Sequence, residues 1–330
     1  MSARSLFKRK VSLTTALLFF LAGAPLSIAI MKYFERKPAV SFDANLKPCD
    51  VRAVRVRGYQ YVQPLLFVDQ DCESPSFSSL KQQINASISR YKAQGAATSV
   101  SVYVRDLEKS TWMGIEEQEE YHPSSLYKVP IMIAYLRLAE RQPGLLQQEL
   151  LFEGVKDKVL PTQTYLSASI QEGRRYTIGE LLRYMIVHSD NKAQWLLAQH
   201  LDIAIMDHLF VDLGIGVPIP REEDKQIRIS ARNFSTFMRT LFNSSYLSPA
   251  HSEFAMTLLG ETEFKKGMTH GLPAGTKTAK KFGEWSDGRI HELHESGIVY
   301  VGSRAFLLTV MTRGDKPTPL PDIISSITTL

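Results

Sequence analysis

The 330 residues are 44% hydrophobic and 22% charged, an ordinary globular balance that leaves room for one sizeable core and excludes a repeat array or a low-complexity chain. A formal net charge of +5 is modest, and the basic run Arg52–Arg57 has no aromatic stacking platform beside it. No nucleic acid is therefore expected as a partner, and that run reads as an exposed strand edge. Two cysteines are too few for a disulfide-dense scaffold and lack the spacing of a zinc or haem motif.

From the N-terminus, Val11 to Met31 contains no charged residue, and as a helix of about 31 Å it is long enough to span a bilayer. Basic residues flank it on both sides, Arg4, Lys8, Arg9 and Lys10 before and Lys32, Arg36 and Lys37 after, which favours a cytoplasmic N-terminus by a small margin. An N-terminal transmembrane helix is expected, making the chain a single-pass protein of the cell membrane with the remainder on its outer face. The competing reading is a cleaved signal peptide ending at Ala22-Gly23-Ala24, against which Pro25 stands directly after the cut. Residues 1–37 then form leader and anchor, 38–72 an extracytoplasmic adaptor with a strand pattern at Tyr61–Val68, and 73–330 the main domain. Cys49 and Cys72 both fall in the adaptor. In an oxidising compartment a disulfide between them is expected, two free thiols being the alternative.

In the main domain a helical pattern over Phe77–Lys92 precedes strand patterns at Thr98–Arg105 and Ser110–Gly114. An apolar helical run follows from Val129 to Leu138, then helical patterns over Tyr176–Val187, from Ala193, and over Ser230–Phe242. Two apolar strands, Glu295–Val301 and Ser303–Met311, join at Gly302. Strands at both ends of a helical middle imply an α+β fold, an antiparallel β-sheet flanked by helices plus an all-helical subdomain, with the cleft between them. His291-Glu292-Leu293-His294, placed between two strands, is one residue short of H-E-x-x-H, and its odd offset points the imidazoles to opposite sides. No metal is expected there, and no organic cofactor anywhere.

Three copies of S-x-x-K occur, at Ser5–Lys8, Ser78–Lys81 and Ser125–Lys128. The first lies in the basic leader, and the second sits in an amphipathic helix that leaves Lys81 on a solvated face. Ser125 instead follows His122-Pro123 and opens an apolar helix, where the chain turns and backbone N–H groups point outward. A three-residue offset puts Lys128 on the same face, within reach of the serine oxygen, and burial or a neighbouring cation can lower its pKa enough for it to act as a base. Ser189-Asp190-Asn191 fills a tight turn between two helices, and Lys281-Phe282-Gly283 lies on a strand leader.

In this order Ser125-Leu126-Tyr127-Lys128, Ser189-Asp190-Asn191 and Lys281-Phe282-Gly283 resemble the S-x-x-K, S-D-N and K-T-G set of class A β-lactamases and penicillin-binding proteins. The resemblance extends over residues 73–330. It implies a catalytic set of Ser125 as nucleophile with Lys128 and Ser189 moving protons. It implies substrate binding by Asn191, Lys281, Phe282, Gly283 and Glu284, and an oxyanion hole from the N–H groups of Ser125 and Glu284. The implied substrate is a β-lactam, hydrolysed or trapped. The alternatives are a D-alanyl-D-alanine peptide of the cell wall, as for a carboxypeptidase, or non-hydrolytic binding of either.

Two departures from the family pattern carry consequences. Phe282 replaces a threonine whose hydroxyl helps bind the substrate carboxylate, so either specificity changes or the ring turns into the core. The glutamate loop with its Leu-Asn pair, which activates the deacylating water in class A enzymes, has no counterpart between Gly214 and Ile229. Glu222, Glu223 and Asp224, the carboxylates in that stretch, read as solvated loop charges, the alternative being that one of them reaches the deacylating water.

Overall fold

The computed structural model describes residues 51–56, 63–70, 72–156, 160–161, 163–218, 220 and 226–330, all within one unit, Pro48–Leu330. The expected membrane anchor, Cys49, and Glu222, Glu223 and Asp224 lie outside the described residues. Among the described residues no helix is long and apolar enough to cross a membrane. Cys72 is disulfide-bonded.

In chain order, strands β1 (Val51–Arg55) and β2 (Leu65–Gln70) form an antiparallel hairpin. A short turn capped by Ser74 leads into helix α1 (Ser78–Ala93), where Lys81 pairs with Glu73 at 2.6 Å. Strands β3 (Ser99–Asp106), β4 (Trp112–Ile115) and β5 (Glu120–Tyr121) precede a 3₁₀ turn, Ser124–Tyr127, that runs directly into α2 (Lys128–Ala139). The helical middle continues through β6 (Glu149–Leu151), β7 (Arg175–Thr177), α3 (Ile178–Val187), α4 (Asn191–Gln199) and α5 (Ile203–Asp212). It closes with β8 (Ile229–Ser230), α6 (Ala231–Phe242), α7 (Pro249–Gly260) and the single turn α8 (Met268–Gly271). Strands β9 (Thr278–Ser286), β10 (His291–Val301) and β11 (Arg304–Gly314) and helix α9 (Leu320–Thr329) complete the chain.

The main sheet has the order β4-β3-β11-β10-β9, every pair antiparallel. Alternation divides its residues between two cores. Val100, Val102, Leu308 and Val310 face α1 and α9, meeting Ile84, Ile88, Ile323 and Ile324. Tyr103, Leu307 and Met311 face the helical middle, meeting Phe234 and Phe237 of α6. A sheet covered on both faces explains why its strands read as continuous apolar runs. Helix α2 is buried at every position from Lys128 to Leu136, as an apolar helix at the centre of a domain must be.

Local signals account for the boundaries that position the site. Thr177 and Glu180 form a complete capping box at the start of α3, with Glu180 N–H donating to Thr177 Oγ1 at 3.1 Å and Thr177 N–H to Glu180 Oε2 at 2.8 Å. The β10–β11 hairpin turns at Gly302-Ser303, and Gly302 takes the left-handed φ of 61° that this tight connection needs. The sequence His291–His294, expected between two strands, lies inside β10, which begins earlier than its apolar run. Being inside a strand still sends the two imidazoles to opposite faces.

Candidate active site

Ser125 sits in the 3₁₀ turn before α2, and β9 holds that turn in place. Gly283 lies so close that a Cβ there would stand 3.0 Å from Leu126 N and 3.0 Å from Pro123 O, so only glycine lets the strand backbone approach. The preceding residue, Ser124, is held at a φ of 51°, an unfavourable conformation for a non-glycine residue. From behind, Glu292 on β10 accepts two hydrogen bonds from His122, from its backbone N–H and from Nδ1, both at 3.0 Å. His294 Nε2 donates to the His122 carbonyl at 3.1 Å, while its Nδ1 accepts from Thr312 N–H at 3.3 Å. The His122 ring also stacks on Trp285 at 3.5 Å. The segment that delivers the serine is thus bolted to two adjacent strands. Burial acts to raise the Glu292 pKa, but the hydrogen bonds from His122 and His294 and the pairing with Arg313 prevail, and the group stays ionised well below the usual carboxylate range.

The Lys128 ammonium is fully buried and meets four oxygens. It donates to Ser125 Oγ at 3.0 Å, Ser189 Oγ at 3.2 Å and Asn191 Oδ1 at 2.8 Å, and also to the Ser189 carbonyl. Burial pushes its pKa down to about 7, with Asp190 and Glu284 opposing the shift through their charge. Lys281, equally buried, donates to Ser189 Oγ at 2.8 Å and to the Phe282 carbonyl at 3.1 Å. Its pKa falls well below the usual lysine value through burial and the nearby cations Lys128 and Lys280. A continuous path therefore runs Ser125 Oγ, Lys128 Nζ, Ser189 Oγ, Lys281 Nζ.

The bend carrying Ser189 is built for this position. Helix α3 stops at Val187, Ser189 adopts a φ of 59°, and Asp190 caps α4 by accepting from Lys192 N–H at 3.0 Å. Asp190 also accepts from Ser169 Oγ at 3.0 Å and Ile170 N–H at 2.9 Å, which ties the bend to the loop before β7. A serine in the left-handed region is strained, and strain of this kind persists where surrounding bonds over-determine the backbone.

Of the expected binding residues, Asn191, Lys281, Gly283 and Glu284 come together here. Asn191 Nδ2, expected to meet substrate, donates to the Pro161 carbonyl at 3.1 Å. The Glu284 carboxylate accepts from Thr164 N–H at 2.7 Å. Phe282 departs from the expected substrate-binding role. Its ring is buried, stacked on Phe264 at 4.4 Å and edge-on to Tyr165 at 6.0 Å, so the side chain packs into the core, and it meets the site through its carbonyl and through the Lys281 ammonium 4.2 Å from its ring centroid. Gln163 was not foreseen. It donates from Nε2 to the Ser189 carbonyl and accepts at Oε1 from Asn191 N–H at 3.1 Å, satisfying both sides of the bend. Nothing in the local pattern around Gln163 marks it, because its partners lie 26 and 28 residues away.

Chemically, a hydroxyl hydrogen-bonded to an amine that titrates near neutrality is an activated nucleophile, and the second hydroxyl bridging two amines can carry a proton onward. Comparison with known proteins agrees. A family model described as the β-lactamase enzyme family matches residues 79–330. No curated protein matches the chain. Among solved structures, a β-lactamase from Chitinophaga pinensis is 21% identical with a TM-score of 0.65, covering 76% of this chain and 97% of its own. A β-lactamase from Xanthomonas campestris pv. campestris is 17% identical with a TM-score of 0.64, covering 76% of this chain and 96% of its own. A mutant of PBP-A, an acyl-enzyme complex with penicillin G, is 20% identical with a TM-score of 0.62, covering 76% of this chain and 94% of its own. Identities this low speak for the fold alone. The family model, spanning most of the chain, decides the membership, and the Ser125–Lys128–Ser189–Lys281 path is where that membership would be expected to show: the chain belongs to the β-lactamase enzyme family.

Proposed function

We propose that the protein is a serine acyl-enzyme hydrolase acting on the outer face of a membrane, anchored through the apolar segment 11–31, with Ser125 acylated by β-lactams. The observation that carries this reading is the Lys128 ammonium, fully buried and 3.0 Å from Ser125 Oγ. In its neutral form Lys128 takes the Ser125 proton as Oγ attacks the lactam carbonyl, and a C–O bond forms while the carbonyl oxygen becomes an oxyanion. The N–H groups of Ser125 and Glu284 stabilise that charge. Collapse breaks the C–N bond, and Ser189, which contacts both amines, passes a proton to the departing nitrogen as Lys128 reprotonates it. Water then cleaves the ester and restores Ser125. Asn191 and Lys281 orient the substrate. That a mutant of PBP-A, a protein of similar fold, is an acyl-enzyme with penicillin G supports the acylation step.

A second reading, a D-alanyl-D-alanine peptidase of the cell wall on which β-lactams act as slow inhibitors, is favoured by the sequence between Gly214 and Ile229, which holds no glutamate placed three residues before a Leu-Asn pair. Without a positioned base an acyl-enzyme forms but hydrolyses slowly. Mass spectrometry after exposure to penicillin tests both. An adduct on the Ser125 peptide that appears and clears with turnover supports the hydrolase. One that persists supports the peptidase. No adduct in wild type, or an adduct of equal yield in Ser125→Ala, removes the acyl-enzyme reading altogether.

A further inference from the structure

Away from the catalytic serine, a cavity of about 200 Å³ opens between the β1–β2 hairpin and the start of α6. Arg52, Asp69, Gln118, Arg232, Asn233 and Arg239 line it. Behind it, Arg105 donates to Asp69 Oδ1 at 2.9 Å. Four arginines thus lie at or behind this cavity, and three of them, Arg105, Arg232 and Arg239, act on the single carboxylate of Asp69.

Two of these four arginines have a structural explanation. Arg105 and Arg239 are buried, both bond Asp69 Oδ1, and both donate to the Val68 carbonyl, so together they hold β2 against the domain. Arg52 and Arg232 take no comparable part. Arg232 comes only within 3.7 Å of Asp69 Oδ2 and lies with its guanidinium over the Trp112 ring at 4.4 Å, leaving its donors toward the cavity largely unused. Arg52 is exposed and pairs with no carboxylate among the described residues.

The helix adds to the imbalance. Arg232 and Asn233 occupy the first turn of α6, a 12-residue helix capped by Ser230. Helix starts carry partial positive charge and favour carboxylates, yet this first turn has no acidic residue and places an arginine at its second position. Burial and repulsion from Arg105 push the Arg239 pKa down to about 10, against the pull of Asp69. The positive charge here exceeds what the described residues neutralise.

We propose that this cavity binds a phosphate-bearing ligand, held by Arg52 and Arg232 at the α6 N-terminus. Guanidinium forks match the geometry of phosphate oxygens, and a helix start supplies a favourable field for an anion. The volume admits a phosphate group with its first substituent and little more, so the site takes one headgroup or monoester, not an extended polyanion in full. Phe67, Tyr103, Leu213 and Ile215 form part of the wall, but the surface open to the cavity is mostly polar, which favours a charged ligand over an apolar one. The site is independent of Ser125 chemistry, and its failure would leave the acyl-enzyme reading untouched.

The test is thermal denaturation of the full chain in detergent, titrated with inorganic phosphate or with glycerophosphoglycerol and compared with sodium chloride at equal ionic strength. A ligand that binds only the native state raises the melting temperature in proportion to its occupancy. Phosphate-specific stabilisation is expected in wild type, with apparent affinity at least about tenfold weaker in Arg52→Ala and in Arg232→Ala. Arg289→Ala, which removes an exposed arginine elsewhere, should leave the affinity unchanged. A response to phosphate alone assigns a dianionic monoester, and an equal response to both probes assigns a phosphodiester such as a lipid headgroup. Stabilisation no greater than with chloride, retention of affinity in both cavity variants, or an equal loss in Arg289→Ala overturns the proposal.

Discussion

Lys128 sets the chemistry of the site at the scale of single groups. If Lys128 is the base of the proposed acylation, it acts only when neutral, and with its pKa at about 7 the rate of acylation by penicillin should climb as pH rises through 7 and level off above it. A stopped-flow pH profile checks this, and Lys128→Met should flatten the climb and slow acylation by about 10²–10⁴-fold. The same burial affects stability. The folded pKa lies below the unfolded lysine value of 10.5, so between about 7 and 10.5 the unfolded chain binds more protons, and stability rises with pH through that window. Denaturant titrations from pH 7 to 9 should show a gain in wild type that shrinks in Lys128→Met. Phe282 shows the opposite outcome of burial. Phe282→Thr supplies the hydroxyl typical of the family but forfeits the stack on Phe264, and a loss of about 2–4 kcal/mol in unfolding free energy is expected with no gain in acylation.

At the scale of elements, the site depends on how closely β9 meets the Ser125 turn. Gly283→Ala places a Cβ against backbone atoms of Pro123 and Leu126, which cannot rotate away. The variant should lose about 1–3 kcal/mol of stability by chemical denaturation, and its acylation rate should fall because Lys281 moves relative to Ser189. The elements that frame this meeting were legible in the sequence for local reasons. Helical periodicity announces α3 and α2, and the unbroken apolar strands announce a sheet covered on both faces. The bend at Ser189 could be read for the same reason, since a polar triplet between two helical patterns has few other uses. The orientation of Phe282 could not. Alternation along β9 offered two faces, and the choice rests on Phe264 and Tyr165, which the fold brings from outside the strand. Gln163 was hidden in the same way, being an unremarkable loop residue until Ser189 and Asn191 arrive beside it.

For the molecule as a whole, the hairpin β1–β2 is joined to the sheet and to α6 through Asp69. Burial works to raise the Asp69 pKa, but Arg239, Arg105 and Arg232 outweigh it and keep the group ionised below its ordinary range. Asp69→Ala would leave two buried guanidiniums facing each other without a counter-ion. A loss of roughly 3–5 kcal/mol is expected, visible as a fall in melting temperature and as early proteolysis within β2. The arginine run that reads as a plain strand edge in the sequence thus has a different meaning in three dimensions. Arg52 faces α6 across a cavity, a relation between residues 180 positions apart that no local pattern records.

The hydrogen bond from Asn191 Nδ2 to the Pro161 carbonyl has a consequence for how any substrate arrives. An incoming amide that takes this donor does not fill an empty place; it displaces an intramolecular competitor that is always present at high local concentration. The net gain is the difference between two similar bonds, so ground-state affinity stays low even where the fit is good. In the proposed acylation, discrimination then falls on the step in which Ser125 commits to a covalent bond, and weak, fast-exchanging encounters with carbonyl compounds should end without reaction.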